Sequence, residues 1–315
     1  MGISNSSKMI LSNIPINLKN WKKNLNNGSI SDRDFFYKYI KGQKLENKIF
    51  VDNTDSEIIS KEYLKLLKNG IGVVTCNKIA CSDNLKNYKS LKKYSKINNT
   101  PFLYETNIGA GLPIISTIKN LIASGDKIFK IEGILSGSLN YIFYNFKKGM
   151  FFYDVVKEAE KKGYTEPDPK IDLMGIDVAR KILILARESG LNLELDDVIN
   201  NSFLPIECIS SKSKDGFYSS LKNKSSHFEE ILNKAMLKNC KLKYVARLEA
   251  NKASIGLDEI TSSHNFYNLK GSDNIVLFYT ARHKAKPLII KGVGAGPEVT
   301  AEGILADILS IVRNK

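Results

Sequence analysis

Apolar and polar positions alternate along the first third of the chain in a way that predicts strands and helices in turn. KIFVD (48–52) is a short apolar run closing on an acid, the pattern of a buried strand. Thr54 and Ser56 follow, and EIISKEYLKLLKNG (57–70) predicts a helix stopped by Gly70. IGVVT (71–75) predicts the next strand, and NLKNYKSLKKYSKINN (84–99) an amphipathic helix with a lysine face. PFLYET (101–106) predicts a third strand. GAGLPIISTIKNLIASG (109–125) predicts a helix with Pro113 in its first turn and Gly125 as its stop. Strands and helices alternating at this spacing imply a parallel sheet covered by helices. Ligands of such sheets bind at the carboxyl ends of the strands. Those ends carry DNT (52–54), TCNK (75–78) and ETNIGAG (105–111).

After about residue 127 the pattern changes. KIFKIEGILSGSLNYIFYNF (127–146) predicts a strand, a Gly/Ser turn and an aromatic-rich helix, and further helices are predicted over 153–162 and 173–189. Residues 241–249, 254–260 and 275–282 alternate between polar turns and predict strands of a second sheet. PLIIKG (287–292) predicts another strand, and GVGAGPEVTAEGILADILSIV (292–312) a glycine-rich turn entering a helix. Residues 207–240 are lysine-rich and weakly periodic, and no chemistry is assigned to them. The fold expected is α/β: a nucleotide-binding sheet joined to an α+β domain.

Composition changes this picture little. With 315 residues, 43% hydrophobic and 25% charged, the chain is long enough for two domains with packed cores. No apolar run reaches the roughly 20 residues that span a bilayer. Met1 is not followed by a charged and then an apolar segment, so no secretory signal is expected and a cytoplasmic protein is. The net charge of +14 raises the question of nucleic acid. The charge is mostly lysine scattered among Asn and Ile, whereas base reading favours clustered arginine, so no nucleic-acid partner is expected. Cys76, Cys81, Cys208 and Cys240 lack metal-ligand spacing and read as reduced thiols. His227, His264 and His283 are far apart and form no triad.

The densest chemistry lies in GYTEPDPKIDLMGIDVARK (163–181), which feeds Glu166, Asp168, Asp172, Asp177 and Lys181 into the start of an apolar helix. Pro167 and Pro169 keep the segment before it extended, because proline disfavours helix at the preceding residue. Asp177 and Lys181 are four apart and share a helical face. One reading is a surface ion pair worth a few tenths of a kcal/mol. The other is a pocket whose carboxylates hold an ammonium group and whose lysine stabilises and protonates the alkoxide formed when an aldehyde takes a hydride.

This stretch resembles the signature of the homoserine dehydrogenase family. So do VDNT (51–54), VVTCNKIA (73–80), YETNIGAGLPIIST (104–117), GILSGSLNYIF (133–143) and GVGAGPEVTAEGILADIL (292–309). NLKNWKKNL (17–25) is more similar to the dehydrogenase half of bifunctional aspartokinase–homoserine dehydrogenases. The family interconverts L-homoserine and L-aspartate 4-semialdehyde with NAD or NADP. The resemblance implies Lys181 as proton-transfer lysine, Asp177 as its partner and Lys78 as a second active-site lysine. It implies Glu166 and Asp172 on the substrate, and Thr54, Thr75, Asn77, Lys78 and Gly296 along the cofactor. It further implies a monovalent cation, sodium, held by Glu105 and the carbonyls of Ile108, Ala110 and Leu112. A catalytic and dimerisation domain is implied over 113–296, with 1–112 and 297–315 forming the nucleotide-binding domain and a homodimer or larger homo-oligomer as the assembly.

The family opens with a strand, a GxGxxG turn and a helix that have no counterpart in this sequence, so an incomplete Rossmann-type domain is expected. MGISNSSKMIL (1–11) is similar to the end of the family's second strand and the segment after it, which leaves Ser4–Lys8 as the only candidate stretch for choosing between NAD and NADP. Asp55 and Cys76 also depart from the family pattern near the cofactor. A fragment, or one piece of a split bifunctional enzyme completed by a separate N-terminal polypeptide, is therefore expected to turn over weakly alone. The alternative is a non-catalytic remnant that dimerises or binds substrate.

Overall fold

The computed structural model describes residues 1–313, and residues 314 and 315, the end of the segment expected to rejoin the nucleotide-binding domain, lie outside the described residues. The chain begins with a small antiparallel sheet of β1 (Gly2–Ser4), β2 (Lys8–Leu11) and β3 (Ser29–Ile30), with α1 (Trp21–Asn26) between its last two strands. This corrects the expectation for Ser4–Lys8. The stretch is a hairpin turn, held by the Asn5 side chain accepting from the amides of Ser7 and Lys8, and not the end of a parallel strand. The Lys8 ammonium bonds the Gly28 carbonyl at 3.2 Å.

After α2 (Arg33–Gly42) the parallel sheet forms from β4 (Lys48–Asp52), β5 (Ile71–Thr75) and β6 (Phe102–Leu103) in the order β4-β5-β6. The helix expected over 57–70 is split into α3 (Glu57–Ser60) and α4 (Tyr63–Lys68). Next come α5 (Ile79–Ser82), α6 (Leu85–Ile97) and α7 (Ile114–Ala123). Pro113 precedes α7 as its N-cap, outside the first turn expected for it. β5 is buried along its whole length because helices cover both faces of the sheet. Tyr63, Leu66 and Leu67 pack with Val73 on one side, and Ile304, Ile308 and Ile311 pack with Val74 on the other. Among the described residues β4 pairs with β5 alone, and Val51 is exposed.

The larger sheet contains β7 (Ile128–Ile134), β8 (Ile199–Asn201), β9 (Lys241–Glu249), β10 (Lys252–Ile260), β11 (Asp273–Thr280) and β12 (Leu288–Val293), ordered β12-β11-β7-β9-β10-β8. One face is covered by α8 (Gly137–Asn145), α9 (Phe152–Lys161), α10 (Pro169–Leu173) and α11 (Ile176–Glu188). On the other, Phe266 and Leu269 from the β10–β11 connection cover Ile134, Val245 and Leu277. Residues 206–237 form α12 (Ile206–Ile209), α13 (Lys214–Asn223) and α14 (Ser225–Leu237), whose Phe217, Leu221 and Phe228 are buried in the main core. The buried residues are few and spread over three separate helices, which accounts for the weak periodicity of the stretch. α15 (Pro297–Arg313) returns to the parallel sheet. The main apolar cluster runs unbroken from Leu91 and Tyr104 into Leu139 and Ile182, so the two sheets share one core.

The helix expected over 173–189 is broken at Gly175, whose φ of 71° is left-handed. A Cβ there would lie 2.1 Å from the Tyr244 hydroxyl, so sterics as well as φ require glycine. The break divides the acids: Asp172 lies in α10, while Asp177 opens α11.

Candidate active site

The site is assembled where α11 meets the carboxyl end of β5. Asp177 Oδ2 lies 2.7 Å from Lys181 Nζ, as the four-residue spacing predicts, and its Oδ1 lies 3.3 Å from Lys78 Nζ, ninety-nine residues away in the chain. This is no surface ion pair. Lys181 is 9% exposed and its ammonium also donates to the Leu135 carbonyl at 2.7 Å. Burial pushes the Asp177 carboxyl up, but Lys181 and Lys78 outweigh it and hold it well below the usual carboxylate range. Two lysine side chains thus share one carboxylate.

Asp172 forms the acidic side. Its Oδ1 accepts from Ser138 Oγ at 2.7 Å and its Oδ2 from the Glu166 amide at 2.8 Å. Burial pushes its carboxyl up, and those bonds do not cancel the rise. The Glu166 side chain projects exposed from the rigid loop. Asp168 is not in the site; it caps α10 by accepting from the Lys170 amide at 3.0 Å. Ser136 and Ser138, 2.9 Å apart, and the Leu135 carbonyl were not singled out as site groups from sequence. The only signal for them is the Gly/Ser turn of GILSGSLN, since a carbonyl acceptor has no side-chain signature.

The residues expected along the cofactor behave differently from one another. Thr75 and Asn77 are buried, with side chains turned inward. Thr75 Oγ1 bonds the Asp52 carbonyl and the Tyr63 hydroxyl, and Asn77 Nδ2 donates to Asp52 Oδ2 and the Ser56 carbonyl. Asn77 Oδ1 accepts from the Ile79 amide at 3.0 Å, tying down the turn that aims Lys78. Their side chains are spent on tying the ends of β4 and β5 to the turns that follow. Thr54 and Gly296 are exposed at the ends of β4 and β12. Gly296 has a φ of 129°, which requires glycine at the turn into α15.

At the expected cation site the Glu105 carboxylate accepts from the Ile115 and Ser116 amides at 2.7 and 2.9 Å, capping α7. Ile108 and Ala110 are buried in a turn where Gly109 and Ala110 both have positive φ. The Leu112 carbonyl already accepts from the Ile114 amide at 2.8 Å. No group of three or more His, Cys, Asp or Glu side chains able to hold a metal exists among the described residues. All four cysteines are free thiols. No helix among the described residues is long and apolar enough to cross a membrane.

A parallel sheet whose carboxyl end supplies Lys78, set against a second sheet-and-helix unit whose α11 supplies Asp177 and Lys181, is the architecture of a nucleotide-binding α/β protein with a second domain. Comparison with known proteins narrows this. The homoserine dehydrogenase family model matches residues 113–309, and the model of the homoserine dehydrogenase NAD binding domain matches residues 19–105. The homoserine dehydrogenase of Schizosaccharomyces pombe is 42% identical over 308 residues, covering 95% of this chain and 81% of its own. The bifunctional aspartokinase/homoserine dehydrogenases of Zea mays (number 1, chloroplastic) and Haemophilus influenzae are 42% and 40% identical over 99% of this chain. The chain spans only 34% and 38% of their lengths. A solved Candida auris protein described as of unknown function superposes with a TM-score of 0.91 at 38% identity, covering 98% of this chain and 88% of that one. A hyperthermophilic archaeal homoserine dehydrogenase in complex with NADPH gives 0.66 at 25% identity, covering 85% and 72%. The chain belongs to the homoserine dehydrogenase family.

Proposed function

We propose that the protein catalyses the NAD(P)-dependent interconversion of L-homoserine and L-aspartate 4-semialdehyde, within threonine, methionine and isoleucine biosynthesis. The observation that carries this reading is the meeting of Lys78, Asp177 and Lys181 at one point between the two sheets. The substrate is a zwitterion with a reducible carbonyl. Its ammonium group suits Glu166 and Asp172, the latter already short of positive partners. Its aldehyde oxygen suits Lys181, which stabilises the developing alkoxide and gives it a proton. Asp177 keeps that lysine aimed. The nicotinamide cofactor supplies the hydride when bound.

The open edge at β4 supports a further part of the reading: another strand, from a preceding or separate polypeptide, completes the sheet and the phosphate cradle. The choice of NADP over NAD would then lie on that segment and not on Ser4–Lys8. Sodium at Glu105, Ile108, Ala110 and Leu112, a homo-oligomer and a cytoplasmic location complete the proposal. The experiment is NADPH oxidation followed at 340 nm with L-aspartate 4-semialdehyde, with the chain alone and with the upstream segment of a bifunctional relative added. Turnover that Lys181→Met abolishes is expected. A complete absence of turnover in both conditions, with homoserine still bound in calorimetry, would favour the binding-only alternative.

A further inference from the structure

The carboxyl end of α11 carries two buried charges that the reaction does not use. Arg187 has a fully buried side chain. Its Nη1 donates to the carbonyls of Cys81 at 2.9 Å and Asp83 at 2.6 Å, its Nε to the Leu193 carbonyl at 3.0 Å, and its Nη2 to Glu194 Oε2 at 3.0 Å. Glu194 in turn accepts from the Leu85 amide at 2.9 and 3.0 Å, the first residue of α6. Glu188, beside it, accepts from Tyr88, Tyr104 and Lys92.

Cys81 and Asp83 close the single turn α5, and Lys78 opens it. A turn of helix is about 5.4 Å long, so a group gripping one end of α5 fixes the other. The turn has no slack of its own. Asn77 Oδ1 caps its first amide at 3.0 Å, and Ser82 Oγ donates back to the Lys78 carbonyl at 2.9 Å. One arginine therefore holds the element that presents Lys78, while standing on the helix that presents Asp177 and Lys181.

We propose that Arg187 is a positioning residue that sets the Lys78–Asp177 separation by clamping α5 to α11. The proposal rests on reading the Lys78–Asp177–Lys181 cluster as the reaction centre. Guanidinium chemistry is required because the site has four acceptors in a fan. Five donors in a planar fork reach them, and a lysine's three from one point do not. A purely structural buried arginine would affect how much protein folds but not the geometry ten residues up the helix.

The test uses Arg187→Met and Arg187→Lys in the full chain, with any activating upstream segment present. Two readouts are taken: steady-state kinetics, and the carboxyl titration of Asp177 by 13C NMR. In Arg187→Met, kcat is expected to fall at least about tenfold, with KM for the amino-acid substrate within about twofold. The Asp177 midpoint should move up toward the ordinary carboxylate range as Lys78 withdraws. Arg187→Lys should recover part of both. If Arg187→Met does not fold, Arg187→Lys and Glu194→Gln decide the matter by the same two readouts at smaller amplitude. Folded variants with an unmoved Asp177 midpoint and kcat within twofold of the parent would overturn the clamp. If the parent shows no turnover, the functional reading fails on its own, and the titration still decides whether Arg187 sets the separation.

Discussion

The two ends of α11 carry similar charges in opposite circumstances. At the amino end the Asp177 side chain is 49% exposed, and it serves two ammonium groups with bonding capacity to spare. At the carboxyl end Arg187 and Glu188 have side chains 0% and 3% exposed, and most of their bonding positions are filled by named partners. A charge that is partly solvated and incompletely bonded can exchange partners with a ligand, whereas one that is buried and saturated can only hold position. The same helix therefore does chemistry at one end and anchors at the other. Substitutions at the amino end should cost activity and leave folding alone; those at the carboxyl end should cost stability, and at Arg187 also the placement of Lys78.

The sharpest test of this contrast is Lys181→Met. It should lower kcat by on the order of 10³-fold, about 4 kcal/mol in barrier height, and shift the melting temperature by no more than a few degrees. Calorimetry and initial rates measured on one preparation decide it, and a large stability loss at unchanged rate would reverse the assignment of the two ends. At the other end Glu188→Gln should destabilise by about 2 kcal/mol in urea unfolding, since it removes the buried charge that Tyr88, Tyr104 and the half-exposed Lys92 share.

The Glu188 substitution also carries a pH signature. Burial pushes the Glu188 carboxyl up, but Lys92, Lys119 and the two tyrosines hold it below its ordinary value. Its contribution to stability is accordingly full above the unfolded carboxylate range, about pH 4.3, and is lost as pH falls through the lower folded value. The parent should lose this increment on acidification, and Glu188→Gln should show no such loss. Parallel pH profiles for the two proteins would contradict the picture.

Ser138→Ala tests the acidic side of the amino end. It removes one of two hydrogen bonds to Asp172, and should raise KM for the amino-acid substrate about tenfold with kcat changed less. The smallest effect is expected at Lys234, whose pairing with Glu230 spans one exposed helical turn at 2.7 Å. Lys234→Ala should move stability by less than about 0.5 kcal/mol and activity not at all. A larger change there would mean that exposure is a poor guide to what a charge does in this protein.

Much of the fold was legible from local pattern. β4, β5, α6 and β9 fall where the apolar runs and lysine faces place them, because each meets a core on a face its own periodicity defines. The expectations that failed have tertiary causes. The 173–189 helix breaks at Gly175, whose backbone is left-handed, and Tyr244 from a distant strand leaves room there for glycine alone. Ser4–Lys8 turns into a hairpin because its partner strand lies at Lys8–Leu11 and not in the parallel sheet. The Asp177–Lys181 pair was visible as a spacing, but the spacing alone could not separate a solvated ion pair from a reaction centre. That distinction came from Lys78 and the Leu135 carbonyl, both distant in sequence.

By itself, then, the order of residues determined most of the strands and helices of the two larger sheets and the identity of the charged groups, since these depend on neighbours a few positions away. Which charges are buried, which are paired twice, and which end of α11 acts and which end holds were decided only when the chain closed on itself. Burial and ion pairing depend on distances through space, and segments such as 78–83 and 177–188 come within reach of one another only after the two sheets have joined in a common core.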